Sequence, residues 1–290
     1  MNDCQCDFDR PLDSCNLCNS KHIYHATTDY KGIDIYKCSN CGVLFMNPQY
    51  TNNYLEVFYN NQHTKTGKHH RYGYSKRPQE LIHEFNLKQI ESYVNVGYFL
   101  SVGCGDGIDL KVAKKRGWIA EGYEVNTVLI NKLSKQLNVK IRTGDFCRMS
   151  YENCRYDCVY LNHVLEHTKN PQEYLKKIHS ILKGRGVLYT ACPNIGSLSN
   201  RIKTLLERIK VRKRVGRYYG TNKHLFYFTP YTLKHVLEEY YSFEVIYISN
   251  DIRPKVYDNN VNIPFLHHYP YKSSFRLIAR KGDTNPSYRE

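Results

Sequence analysis

From residue 98 onward, short apolar runs of strand character alternate with segments of helical periodicity, and few patterns restrict a fold more. "YFLSV" leads into "IDLKVAKKRG", and "IAEGYEV" leads into "TVLINKLSKQL". "VKIRTGD" follows, then "DCVYLNHV", the helical "PQEYLKKIHSILK" and the strand-like "GVLYTAC". Strands joined through helices run parallel and need both faces covered, so the pattern predicts an α/β sheet wound on both sides. After the helical "TPYTLKHVLEEYY", "FEVIYIS" and "FRLIARK" lack an intervening helix, so an antiparallel pair is expected at one edge. A further helix is expected from Pro78, where Leu81, Ile82, Phe85, Ile90 and Val94 fall near helical spacing.

Three glycines, Gly103, Gly105 and Gly107, follow the first of these strands as G-x-G-x-G. A strand turning sharply into a helix while its backbone approaches a ligand requires such residues. In open parallel sheets the ligand lies at the carboxyl ends of the strands. The second strand ends near Glu124, 17 residues past Gly107, where a carboxylate can accept hydrogen bonds from both hydroxyls of a ribose. The third ends at Asp145, and the fourth at "LNHVLEH".

The first fifty residues carry a different signal. Cys15, Cys18, Cys38 and Cys41 form C-x2-C-x19-C-x2-C, the spacing of a structural zinc site in which four thiolates fill a tetrahedron. Eleven cysteines in all, an odd number, argue for metal and free thiols rather than a disulfide framework, and hence for a reducing, cytoplasmic location. The opening "MNDCQCDFDR" has neither the basic nor the apolar region of a secretory signal. With 290 residues and a mean hydropathy of -0.61, the chain reads as a soluble globular protein. The expected organisation is a zinc module over 1–50, an aromatic and basic connector with a helix over 51–96, and a main domain over 97–290. A basic insertion at 197–222 interrupts the main domain.

"FLSVGCGDG", "YEV", "TGDF", "YDCVYLNHVLEHTKNP", "LKGRGVLYTACPN" and "KHLFYFTPYTLKHVL" together resemble the ordered motifs of class I S-adenosylmethionine-dependent methyltransferases. The likeness is best to the branch with an N-terminal zinc ribbon, common among enzymes acting on sugars and other small molecules, and it spans about residues 15 to 281. It implies a Rossmann-like, doubly wound, mostly parallel seven-stranded sheet with an antiparallel edge strand. It also implies that Gly103, Gly105 and Gly107 cradle the methionine portion of the cofactor and that Glu124 holds its ribose. Asp145 and Phe146 would flank the adenine, and Asn162 would complete the cofactor set. Ser101 departs from the pattern, which usually has an acidic residue ahead of the glycines.

Methyl transfer to a hydroxyl calls for a base, and a histidine suits the task. His224, in the segment where this family builds its acceptor pocket, is the first candidate; His163 and His167 compete, and Glu166 is expected to serve packing. "HVLEH" formally matches the H-x-x-E-H motif of a zinc protease, but it closes a strand and "TKNP" leaves no helix to present both histidines. The expected acceptor is a small molecule, a sugar or glycan intermediate, phosphorylated or lipid-linked.

Net charge is +15, and residues 201–217 hold eight basic residues against one glutamate. Ile202, Leu205, Leu206 and Ile209 share one helical face there. The segment is expected to act as a lid, its apolar stripe packed on the core and its cations drawing in substrate. Peripheral contact with an anionic membrane is the alternative. A nucleic-acid methyltransferase using the patch and a non-enzymatic zinc-ribbon interaction protein are weaker readings. No recognised RNA- or DNA-binding module supports the former, and the intact glycines, Glu124 and Asp145 oppose the latter.

Overall fold

The structure, a computed structural model, describes residues 7–64, 76–211, 215–250 and 272–283. Three short antiparallel strands open it: β1 (Ile23–Thr28), β2 (Asp34–Cys38) and β3 (Leu44–Met46). Helices α1 (Asn52–Thr64) and α2 (Lys76–Ile90) follow, the second starting two residues before the expected proline and ending before Val94. The alternation then appears as read. Strand β4 (Tyr98–Val102) leads to α3 (Ile108–Lys115), β5 (Ile119–Tyr123) to α4 (Thr127–Leu137), and β6 (Lys140–Arg142) to β7 (Tyr156–Asn162). Helix α5 (Pro171–Ile181) connects β7 to β8 (Leu182–Pro193). Beyond it come α6 (Leu198–Arg208), β9 (Phe226–Tyr227), α7 (Pro230–Tyr241), β10 (Phe243–Asn250) and β11 (Ser274–Lys281).

The main sheet has seven strands in the order β10-β11-β8-β7-β4-β5-β6. Its core strands are parallel, and β4 sits centrally because both its faces are apolar. Leu100 and Val102 join the apolar cluster on one face, and Phe99 joins the other with Trp118 and Tyr160. Burial on both faces is what parallel strands covered by helices require. The antiparallel pair lies at the edge as expected. The strand that runs against the rest is β11, one place in from the edge, since β11 pairs antiparallel with both β8 and β10.

The N-terminal sheet crosses the boundary expected near residue 50. Its fourth strand is β9, which pairs antiparallel with β3 through Leu44–Tyr227 and Phe45–Phe226. Cys15, Cys38, Val43 and Phe45 belong to the same apolar cluster as Leu100, Val102 and Leu161 of the main sheet. Tyr241 of α7 donates its hydroxyl to the Leu17 carbonyl at 2.5 Å. The cysteine-bearing segment and the main sheet thus share one core. Among the described residues, no helix is long and apolar enough to cross a membrane.

Candidate active site

The glycine turn is built by three left-handed backbone conformations, with φ of 74° at Gly103, 52° at Gly105 and 73° at Gly107. Side chains disfavour that region, so each position asks for glycine. What the glycines clear differs, however. A Cβ on Gly103 would lie 2.7 Å from Val164, and one on Gly107 would lie 2.8 Å from Leu137. Those two admit neighbouring parts of the protein. A Cβ on Gly105 would meet nothing within 4 Å, so only this glycine borders open space.

Glu124, buried just beyond β5, ties the turn in place. One carboxylate oxygen accepts the Gly105 amide at 2.8 Å and the other accepts the Asn126 amide at 3.0 Å. Each oxygen keeps a second lone pair for a ligand hydroxyl. Asp145 is exposed, accepting the Cys147 amide at 3.0 Å and pairing with Arg148 at 3.3 Å. Asn162 ends β7, half-buried. Phe146 needs correction. It is wholly buried, enclosed by the rings of Tyr123, Tyr151 and Tyr174 at 4.9 to 5.5 Å, and has no free face to lay on a base. Its apolar ring is drawn into the core.

At Ser101 a hydroxyl stands where the resemblance expects an acid. The Ser101 hydroxyl donates to the carboxylate of Asp109 on α3, and burial pushes that carboxyl up to about 7. The pair faces the core, so it buttresses β4 from within.

The histidines converge at the carboxyl end of β7. His163 adopts a left-handed conformation, φ 59°, and Leu165–His167 form a single 3-10 turn, so no α-helix presents an H-x-x-E-H pair. Glu166 proves to be the centre of the cluster. It is 1% exposed; His163 Nδ1 lies 3.2 Å from one carboxylate oxygen and His167 Nε2 lies 3.7 Å from the same atom. Burial would raise its carboxyl, but the hydrogen bond from His163 and the nearby imidazoles outweigh that and hold it at about 2. The role was not legible in "HVLEH", since a lone glutamate in a short turn carries no periodic signal. Nor was Tyr59 of α1, whose hydroxyl lies 3.0 Å from His167 Nδ1.

His224 reaches the same cluster through the loop before β9, its ring 4.9 Å from that of His167. Its Nδ1–H donates to the Tyr219 carbonyl at 3.1 Å, which leaves Nε2 as its basic atom. Burial and the neighbouring His167 push its pKa down to about 3, against a smaller opposing pull from Glu166. The imidazole is therefore held neutral in the folded chain. The ligand atoms of Glu166, His167 and His224 lie within 4.8 Å of one another, a spacing that a divalent cation can also bridge.

A stability effect follows. His224 is neutral when folded but protonates near 6.5 when unfolded, so the unfolded chain binds the extra proton between those values. Stability is full above about pH 6.5 and falls as pH drops toward 3, at no more than about 1.4 kcal/mol per pH unit for this group. His179, pushed down to about 4 by burial and Lys281, acts in the same sense. Thermal melts at pH 7.5 and 5.0 should show His224→Gln losing less midpoint than the unaltered chain. An equal loss in both would remove His224 as a source of acid sensitivity.

The four cysteines are brought together as their spacing requires. Cys15 and Cys18 precede β1, Cys38 ends β2, and Cys41 lies in the turn closed by Gly42 at φ 74°. The sulfurs of Cys15 and Cys41 are 3.7 Å apart and those of Cys18 and Cys38 are 3.5 Å apart, with all four within 4.8 Å. Zn–S bonds of about 2.3 Å in a tetrahedron set S···S edges of about 3.8 Å. The donor set and its dimensions fit zinc.

Comparisons with known proteins bear on the family and the fold. A family model described as "Methyltransferase domain" matches residues 67–247, more than half of the chain. Ubiquinone biosynthesis O-methyltransferase of Coxiella burnetii is 28% identical over 125 residues, covering 41% of this chain and 53% of that protein. The chain thus matches only about half the length of that curated relative. The crystal structure of a SAM-dependent methyltransferase from Archaeoglobus fulgidus aligns with a TM-score of 0.51 and 22% identity, covering 73% of this chain and 97% of that one. A Burkholderia thailandensis 1,6-didemethyltoxoflavin-N1-methyltransferase, solved with bound 1,6-didemethyltoxoflavin and S-adenosylhomocysteine, aligns at 0.55 with 14% identity, covering 95% and 100%. At such identities the two structures speak for the fold alone.

Proposed function

The chain belongs to the methyltransferase-domain family, and from that premise we propose that it moves a methyl group from S-adenosylmethionine to a hydroxyl oxygen of a small molecule. The cofactor, when bound, supplies an electrophilic methyl group on a sulfonium. Open space at Gly105 and the spare lone pairs of Glu124 fit the demands of such a nucleoside. Asp145 and Asn162 are the further groups we assign to it. Val164 packs against Gly103, which sets the histidine cluster beside the glycine turn.

The observation that carries the oxygen reading is the His163–Glu166 pair. A buried carboxylate held ionised accepts Nδ1–H of His163, which orients the ring and leaves Nε2 to take the proton of an acceptor hydroxyl. We assign His167, whose Nδ1–H donates to the Lys223 carbonyl at 2.9 Å, and His224 to the lining of the cluster. The partial likeness to an O-methyltransferase supports the same reading. Within that class, the four-cysteine module, which we assign to structural zinc, favours a sugar or glycan intermediate through its resemblance to sugar-modifying enzymes. Incubation with methyl-labelled cofactor and fractionated extract tests this: label should enter a small-molecule pool as alkali-stable ether. Label in nucleic acid, or on nitrogen or carbon, would replace the proposal.

Glu124→Ala should weaken S-adenosylhomocysteine binding by about 30- to 150-fold, the loss of roughly 2–3 kcal/mol in hydrogen bonds to a charged acceptor. Because Glu124 also restrains Gly105, Glu124→Gln should recover only part of the loss. Calorimetry giving an unchanged dissociation constant for Glu124→Ala would remove it from the site.

A further inference from the structure

Helix α6 reverses the arrangement expected of a lid. Leu198, Ile202, Leu205 and Ile209, at i, i+4, i+7 and i+11, are between 50% and 59% exposed and form one aliphatic row facing solvent. Beyond the helix, Val211 and Val215 are also exposed, at 66% and 41%. Leu206, expected in the stripe, is instead half-buried. The rotation of the helix is set by its polar side, which faces the protein. Asn200 donates to the Asn194 carbonyl at 3.1 Å, Thr204 meets the Tyr218 hydroxyl at 2.6 Å, and Glu207 accepts the Gly216 amide at 3.2 Å. Packing the stripe on the core would break all three.

The charge around the row is one-sided. Arg201, Arg208 and Lys210 are exposed beside it, and Glu207, the one acid in 201–217, is buried. Arg212, Lys213 and Arg214 add to the sequence charge and lie outside the described residues. We propose that α6 is a docking surface for an anionic lipid bilayer. The helix lies in the plane of the interface, its aliphatic row at the acyl boundary and its cations on headgroup phosphates. A nucleic acid would satisfy the cations and leave the aliphatic row in water. A second copy of the chain would bring two patches of the same charge together. Bilayer contact alone satisfies both faces. Helix α6 leaves the carboxyl end of β8, where Ala191 accepts the His163 amide at 2.9 Å. If the methyltransferase reading holds, docking sets the acceptor side of the site near the membrane.

Vesicle flotation tests this with the intact chain. Vesicles of phosphatidylcholine and phosphatidylglycerol in equal parts should carry the protein at low salt, and vesicles of phosphatidylcholine alone should not. Ile202→Glu with Leu205→Glu should lower the partition coefficient at least about tenfold, with the melting midpoint and S-adenosylhomocysteine affinity unchanged. Should that pair alter the melt, Leu198→Ser with Ile209→Ser gives the same test with smaller changes. Failure of the unaltered protein to float overturns the proposal, as does equal flotation of the apolar-row variants. Binding of an RNA homopolymer without vesicle binding, or a dimer that the row variants dissociate, overturns it in favour of those partners. Methyl transfer to a water-soluble acceptor would proceed in all these outcomes, so the surface and the activity fail separately.

Discussion

Replacing His163 with alanine is expected to slow methyl transfer by about two to four orders of magnitude, the usual contribution of a positioned base, while S-adenosylhomocysteine binds as before. The expectation rests on Glu166. Its carboxylate is buried and ionised, and it takes Nδ1–H of His163 at 3.2 Å. Exchanging it for glutamine leaves the volume and removes the charge, so Glu166→Gln should lose about as much turnover as His163→Ala. The double variant should lose little more, because residues acting as one unit are not additive. His224→Asn should cost far less, since a group depressed to about 3 is already a weak proton acceptor. Single-turnover transfer of labelled methyl into the acceptor-containing fraction measures all four. Near-normal transfer by His163→Ala with loss in His167→Ala would move the base one turn along the chain.

Cys38→Ser should lower the stability of the whole chain in one transition, by about 5 kcal/mol or more. Structural zinc contributes roughly 10–16 kcal/mol of apparent binding energy in small domains, and three thiolates retain only part of it. An independent N-terminal module would melt first and leave the rest intact. The shared core predicts otherwise, because Cys15, Cys38 and Phe45 pack in the same cluster as Val102 and Leu161. Strand β3 also holds the segment that carries His224: Met46 donates to the Leu225 carbonyl, and Leu225 donates to the Glu166 carbonyl, both at 2.8 Å. Losing a metal held by these thiolates should therefore disturb the histidine cluster as well. Calorimetric scans and metal analysis of reduced protein check this. Two separate transitions, or protein free of zinc at full stability, would contradict it.

The positions of the groups we assign to the cofactor were legible because short stretches of chain put them at the ends of strands. A strand, a glycine turn and a helix place Gly105, and the ends of β5, β6 and β7 place Glu124, Asp145 and Asn162. The four cysteines were legible for the same reason, since each pair flanks a tight turn. Phe146 misled because an aromatic ring beside a ligand and one in a core look alike in sequence. Glu166 was expected to serve packing, and the histidines around it were not foreseen. They close on it from positions that no local pattern reports.

By itself the sequence determined the order of strands and helices, the glycine turn, the thiolate set and three members of the aliphatic row of α6, Ile202, Leu205 and Ile209. Those follow from backbone periodicity and turn geometry within a few residues. Only the tertiary structure decided which way each face points and how basic each side chain is. The row of α6 faces water because Asn200, Thr204 and Glu207 are held from the other side by Asn194, Tyr218 and Gly216. His224 loses its basicity because β9, pairing with a strand some 180 residues earlier, buries it against His167. Orientation and desolvation are sums over neighbours distant in sequence, and they exist only once the chain has closed on itself.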